Sequence, residues 1–247
     1  MKLSELFSRW CDALRPNRYG LKEYLLNDGK KHPFAVICPG GGYGMVCSAG
    51  EGAPFAKKLN RLGYHAFVVY YRVKDKAKYP NPQEDLKRAI EEIFAHAEEW
   101  RLDTDNWSVW GSSAGGHLVA SYHTENRGTS KPTALVLVYP VITMGEHTHK
   151  GSRDNLLGKN ADEEMIRKLS AECNITPDYP ASFIWYGTAD DVVAPLNTEM
   201  MAEALKDCSV PCRVEKYEGI GHGAGLAKGT AAEVWFEHAV EFWQSQK

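Results

Sequence analysis

The stretch Trp107-Ser108-Val109-Trp110-Gly111-Ser112-Ser113-Ala114-Gly115-Gly116-His117-Leu118 sets a serine between small residues, as Gly111-x-Ser113-x-Gly115. Where a strand runs into a helix, such a serine sits on a sharp, strained turn that admits only small neighbours. The following helix aims its positive end at the site, where negative charge would develop during acyl transfer. Ser113 holds the pattern position, and Ser112 does not. Alone, the pattern also describes a Gly/Ser helix cap without chemistry. A second stretch, Phe34-Ala35-Val36-Ile37-Cys38-Pro39-Gly40-Gly41-Gly42-Tyr43, ends in three glycines. Without Cβ atoms, their backbone can turn and present N–H groups to an oxyanion or a phosphate. No Gly-Lys-Ser/Thr, no dinucleotide glycine pattern and no suitably placed acid accompanies them, so the phosphate reading is weak. A third stretch carries Asp190 and Asp191 after Phe183–Tyr186, and a fourth sets His222 within Gly219-Ile220-Gly221-His222-Gly223. Each acid reads alone as a cap and the histidine as a loop residue. Their order does more: Ser, then Asp, then His, each after its own strand, is how a triad is assembled on a parallel sheet.

Those loops need a sheet to hold them. Nearly continuous apolar runs at Phe34–Cys38, Ala66–Tyr71, Trp107–Trp110, Ala134–Val138 and Phe183–Tyr186 read as strands covered on both faces. Leu86, Ala89, Ile90, Ile93, Phe94, Ala97 and Trp100 follow helical spacing with charges opposite. Glu51–Leu62, Ala114–His123, Asn197–Lys206 and Thr230–Phe242 also read as helices. Strand alternating with helix predicts an α/β fold: a mostly parallel central sheet, helices on both faces, three layers in all. An extended segment near Leu21–Leu26 would add an antiparallel strand. One domain over residues 1–247 is expected, with an amphipathic N-terminal helix at about 3–14 built on Leu3, Leu6, Phe7, Trp10 and Leu14. The segment Val141–Tyr179, with a helix at Asp162–Leu169, is longer than an ordinary connection and suits a pocket-shaping insertion.

Composition narrows the function. The 247 residues carry Lys+Arg 29 against Asp+Glu 32, a net charge of −3, with 43% hydrophobic and 25% charged residues. That is an ordinary globular balance with no basic surface for nucleic acid. No apolar run reaches the roughly 18 residues of a membrane helix. The first ten residues lack an apolar h-region, which predicts no signal peptide and a cytoplasmic protein. Six scattered cysteines form no zinc-like spacing. His147-x-His149 has no evident third ligand, so no metal and no other cofactor is expected. These two histidines read as pocket or surface residues; His65, His96, His117 and His123 read as packing or capping.

Taken together these motifs resemble the α/β-hydrolase superfamily, specifically its small esterase branch related to acetyl-xylan and feruloyl esterases, the BD-FAE-like group. The resemblance rests on Cys38-Pro39-Gly40-Gly41-Gly42-Tyr43, Tyr71-Arg72-Val73, Tyr79-Pro80, Asp85, Gly111 to Leu118 and Tyr139-Pro140-Val141-Ile142. It continues through His149-Lys150-Gly151-Ser152-Arg153, Asn155-Leu156-Leu157-Gly158, Thr188-Ala189-Asp190-Asp191 and Gly221-His222-Gly223, covering about residue 20 to the C-terminus. The family pattern Asp-x-x-Val-Pro is interrupted here by Ala194 between Val193 and Pro195. Ungapped counting from Trp185 or Asn197 selects Asp190 as the acid; anchoring on Pro195 selects Asp191. Asp190 is preferred.

The resemblance implies an esterase in which Ser113 is nucleophile, His222 the base, Asp190 its partner, and the amides of Gly41, Gly42 and Ala114 the oxyanion hole. It implies a small ester substrate, such as an acetylated xylo-oligosaccharide; feruloyl and general short-chain esters are alternatives. Tyr43 and Trp110 are candidate pocket walls. A prolyl-peptidase-like enzyme and a ligand-binding pseudo-hydrolase are the competing classes, and a homodimer through the N-terminal helix is open. A histidine base implies activity rising through pH ~6.5 to 7.

Overall fold

The computed structural model describes residues 19–126 and 130–247. The expected N-terminal helix at about 3–14 lies outside the described residues. Seven strands form one sheet: β1 (Gly20–Tyr24), β2 (His32–Cys38), β3 (His65–Tyr70), β4 (Leu102–Ser112), β5 (Ala134–Val138), β6 (Ser182–Gly187) and β7 (Cys212–Tyr217). Among the described residues seven α-helices accompany them: α1 (Ala53–Arg61), α2 (Asn81–Ala95), α3 (Ala114–Glu125), α4 (Lys150–Leu156), α5 (Glu163–Leu169), α6 (Leu196–Asp207) and α7 (Trp235–Ser245). The strand order is β1-β3-β2-β4-β5-β6-β7. Only β1 is antiparallel, pairing with β3 in the register Lys22↔Val68; the other pairs are parallel.

The apolar runs become strands because both faces of the sheet are covered. In β2, Phe34, Val36 and Cys38 pack on one face with Leu86 and Ile93 of α2 and Leu118 of α3. Their neighbours Ala35 and Ile37 pack on the other with Phe55 and Leu59 of α1 and Trp235 and Phe236 of α7. The expected three-layer α/β sandwich is what forms.

Several boundaries differ from the sequence reading, each for a local reason. The helix expected to reach Trp100 ends at Ala95, and its continuation is a turn in which the Trp100 amide donates to the His96 carbonyl at 2.9 Å. Ala97 and Trp100 still touch the core, so their spacing records packing without helix. The helix expected from Glu51 opens with a π-helical turn, Ser48–Gly52, before Pro54 near the start of α1 sets the α-helical course. The helix expected from Thr230 begins as a 3₁₀ turn, Ala231–Val234, capped by the Thr230 hydroxyl, which accepts from the Ala232 amide at 3.2 Å. β7 was not foreseen. Its sequence CRVEKY is half-exposed and carries Arg213, Glu215 and Lys216, as suits the edge of a sheet.

The loops after β2, β4, β6 and β7 all leave the sheet at the carboxyl ends of parallel strands. Ligand sites of open α/β sheets occupy that edge.

Candidate active site

β4 passes into α3 through Ser113, whose φ of 52° and ψ of −121° lie in a region that non-glycine residues rarely adopt. The turn is held from three sides. Its amide donates to the Val138 carbonyl at 2.9 Å, and its own carbonyl accepts from Val141 at 3.0 Å and His117 at 3.2 Å. A Cβ on Gly111 would lie 2.4 Å from the Gly115 carbonyl oxygen, and one on Gly115 would lie 2.0 Å from that of Cys38. The small flanking residues are therefore a steric requirement of this turn.

Ser113, Asp190 and His222 come together. His222 Nε2 lies 2.8 Å from Ser113 Oγ, and Nδ1 lies 2.7 Å from Asp190 Oδ2. An ionised carboxylate can only accept, so the proton belongs on Nδ1 and leaves Nε2 to accept from the serine hydroxyl. The other Asp190 oxygen, Oδ1, accepts from the amides of Val192 at 3.0 Å and Val193 at 2.9 Å. Asp190 is buried, whereas Asp191 is exposed. The structure thus joins Asp190 to the histidine, despite the residue inserted before Pro195.

The glycine loop stands against the serine. A Cβ on Gly40 would be 2.8 Å from Ser113 Cβ. Gly41 and Gly42 have φ of 125° and 63°, and the Gly41 carbonyl accepts from Gly44 at 2.9 Å and Met45 at 3.1 Å, closing a tight turn. Tyr71 Oη donates to the Pro39 carbonyl at 2.6 Å and braces the loop from below. Arg72 in turn is held by Asp85, through its amide at 2.7 Å and its Nε at 2.9 Å, which fixes the chain between β3 and α2.

Two expected pocket walls are elsewhere. Tyr43 is wholly buried, its hydroxyl 2.7 Å from His117 Nδ1. Trp110 is also wholly buried, on the sheet face covered by α7, with Nε1 donating to Ser108 Oγ at 2.8 Å. Both flank motif residues in sequence, but strand alternation and core packing turn their rings away from the loop edge. The long segment between β5 and β6 does reach the loop. His149 caps α4, its Nδ1 2.8 Å from Ser152 Oγ, and its ring stands 3.5 Å from where a Gly42 Cβ would be. Asn155 Nδ2 donates to the Gly42 carbonyl at 2.8 Å. His147 contributes only its carbonyl, which accepts from Asn197 Nδ2 at 2.9 Å.

The four histidines expected to pack or cap do so. His65 accepts from the Leu26 amide, and His96 bonds the Glu92 carbonyl. His117 Nε2 donates to the Leu169 carbonyl at 2.7 Å, and His123 Nδ1 donates to that of Val119 at 2.8 Å. Burial pushes His117 and His123 down to about 4, against about 6.5 in an unfolded chain. Between those values the unfolded state binds protons that the folded state does not. Stability from this source is therefore complete above about pH 6.5 and is lost as pH falls, by up to about 1.4 kcal/mol per pH unit for each histidine. The melting temperature is expected to drop between pH 6.5 and 4.5, and His123→Gln to flatten that drop. An equal slope in the variant would remove His123 from the account.

One buried group escaped the sequence reading. Glu51 is 6% exposed and accepts from the Gly40 amide at 2.7 Å and from Tyr139 Oη at 2.8 Å. Burial raises its carboxyl above the usual carboxylate range, an effect opposed by those hydrogen bonds and by His222.

Known proteins resemble this chain in sequence and in fold. An acetyl ester-xyloside bifunctional hydrolase from Caldicellulosiruptor lactoaceticus superposes with a TM-score of 0.87 at 31% identity, over 94% of this chain and 90% of that one. A carboxylesterase from Lactobacillus plantarum, at 24% identity and a TM-score of 0.79 over 92% of each chain, shares the fold. Among sequences, the acetylxylan esterase of Xylanibacter ruminicola is 31% identical over 82% of this chain and 42% of its own length. The endo-1,4-beta-xylanase B of Butyrivibrio fibrisolvens is 31% identical over 86% of this chain and 35% of its own length. The chain thus spans less than half the length of these curated relatives. The BD-FAE family model matches residues 24–205, about three-quarters of the sequence and most of the sheet, and the chain belongs to that family of α/β hydrolases.

Proposed function

We propose that this chain is a serine ester hydrolase that removes short acyl groups, acetyl foremost, from carbohydrate esters such as acetylated xylo-oligosaccharides. The observation that carries the reading is the continuous relay Ser113 Oγ–His222 Nε2, 2.8 Å, and His222 Nδ1–Asp190 Oδ2, 2.7 Å, at the loop edge of the sheet. His222 takes the Ser113 proton as the oxygen attacks the ester carbonyl, then returns it to the departing alcohol. Asp190 holds the tautomer and stabilises the imidazolium. The amides of Gly41, Gly42 and Ala114 receive the oxyanion; such a donor is typically worth about 10²–10³ in rate. Water, deprotonated by the same histidine, attacks the acyl-enzyme and releases the acid.

The sugar half of the reading is supported by relatives named for acetylxylan and for an acetyl ester-xyloside. The test is hydrolysis of p-nitrophenyl esters from C2 to C8 beside acetylated xylo-oligosaccharides and methyl ferulate. Fastest release from the acetyl ester, with acetate freed from the oligosaccharides, is the expected result. Turnover of the p-nitrophenyl esters alone would reduce the reading to a general short-chain carboxylesterase, and preference for the ferulate would replace the acyl group proposed.

The acid is tested separately. Asp190→Asn is expected to lower kcat by about 10⁴-fold, because the asparagine favours the wrong imidazole tautomer. Asp191→Asn is expected to leave it nearly unchanged. Kinetics on p-nitrophenyl acetate decide it, and the reverse pattern would transfer the role to Asp191.

A further inference from the structure

Among the described residues Glu51 is a buried carboxyl group with no lysine or arginine partner, a placement that costs stability unless its hydrogen bonds offset it. Both its oxygens are used. Oε2 accepts from the Gly40 amide at 2.7 Å, directly before the two glycines of the proposed oxyanion hole. Oε1 accepts from Tyr139 Oη at 2.8 Å. That same phenol oxygen accepts from the Gly225 amide at 3.0 Å, three residues beyond His222. The Tyr139 ring meets the His222 ring edge-on, with centroids 5.0 Å apart. Backbone packing reinforces the link: a Cβ on Gly225 would stand 3.2 Å from the Gly50 carbonyl oxygen, so the histidine loop rests on the turn that carries Glu51. That turn is π-helical, a geometry often found beside functional sites.

We infer that Glu51, through Tyr139, is a positioning residue that clamps the glycine loop and the His222 loop in one register. The inference rests on the proposed hydrolysis, since it assigns these loops their roles. The clamp has a physical rationale. The two loops leave different strands and share no ladder hydrogen bonds, yet a tetrahedral intermediate must meet the amides of one and the imidazole of the other. A carboxyl group with two acceptor oxygens can hold the glycine loop directly and the His222 loop through the Tyr139 hydroxyl, without moving either when charge appears.

The experiment is a double-mutant cycle with Glu51→Gln and Tyr139→Phe, read by kcat and KM on p-nitrophenyl acetate, with thermal melting as a control. Each variant is expected to lose at least tenfold in kcat with KM within twofold. The double variant is expected to lose little more than the worse single one. Losses that multiply, losses confined to KM, or no loss in either variant would overturn the clamp. A readout free of substrate accompanies this: the low-field proton resonance of His222 Nδ1–H in the resting protein. It is expected to shift or broaden in both variants, while an unmoved resonance overturns the clamp. Should Glu51→Gln fail to fold, Tyr139→Phe keeps the test, because it removes one oxygen and leaves the ring. If the unaltered protein turns over no ester, the hydrolytic reading fails, and the resonance alone still decides whether Glu51 positions His222.

Discussion

Replacement of Ser113 by alanine is expected to leave the protein folded and to abolish ester turnover, with a loss in kcat of about 10⁵- to 10⁶-fold. The hydroxyl makes one hydrogen bond, to His222, whereas the turn is held by the backbone bonds to Val138, Val141 and His117. Alanine must occupy the same positive φ that serine does, so the strain is common to both and melting temperature should change little. What disappears is the atom proposed to become covalently acylated. The amides would still bind an oxyanion, so a residual rate above that of water should survive. His222→Ala should fall to a similar floor, and the two changes together should fall no further, since members of a relay act as a unit. Hydrolysis of p-nitrophenyl acetate with melting as the control measures all three. Turnover in Ser113→Ala well above that residual floor would mean that another nucleophile does the work.

The second large effect falls on stability. Gly115→Ala would set a Cβ 2.0 Å from the carbonyl oxygen of Cys38 and 2.5 Å from that of Pro39. Both are backbone atoms at the end of β2, so no side chain can swing aside. Either α3 lifts from β2 or the residues leading into the glycine loop are displaced. The expected cost exceeds about 3 kcal/mol, the range of severe overpacking, and activity should fall with it because Pro39 leads into Gly40. Gly20→Ala is the control. Its Cβ would meet Tyr70 Cβ at an ordinary 3.6 Å, and with nothing to displace the change should be neutral to slightly stabilising, by about 0.5 kcal/mol. Denaturant melts of the two variants compare them directly; a Gly115→Ala protein as stable as the original would refute the steric account of the turn.

How legible these features were in the sequence depended on how locally each is determined. Phe34–Cys38 of β2 and all of β5 were plain because each of these residues is buried, leaving no polar position to confuse the run. The serine turn was equally plain, because its own geometry demands Gly111 and Gly115 within two residues. β7 was missed because its residues answer to an edge: Arg213 pairs with Glu215 and Glu241, and Glu215 also meets His238. The preference for Asp190 over Asp191 rests on which carboxylate faces inward toward His222, a fact about the loop rather than the spacing. Glu51 was illegible. Its partners lie 11 and 88 residues away, and in sequence it is a lone acid at the start of an amphipathic run. Tyr43 and Trp110 misled for the converse reason, since proximity to a motif along the chain says nothing of which way a ring points.

The spacing of the relay has a consequence for how the protein comes into being. Ser113 and His222 lie 109 residues apart, and the histidine sits between β7 and α7, far along the chain from β4. A chain growing from its N-terminus exposes the serine long before its base has been made. On the proposed reading, the nascent protein lacks a working relay until β7 and α7 have docked. Recovery of turnover during refolding would time that closing event, with the completed relay as its own clock.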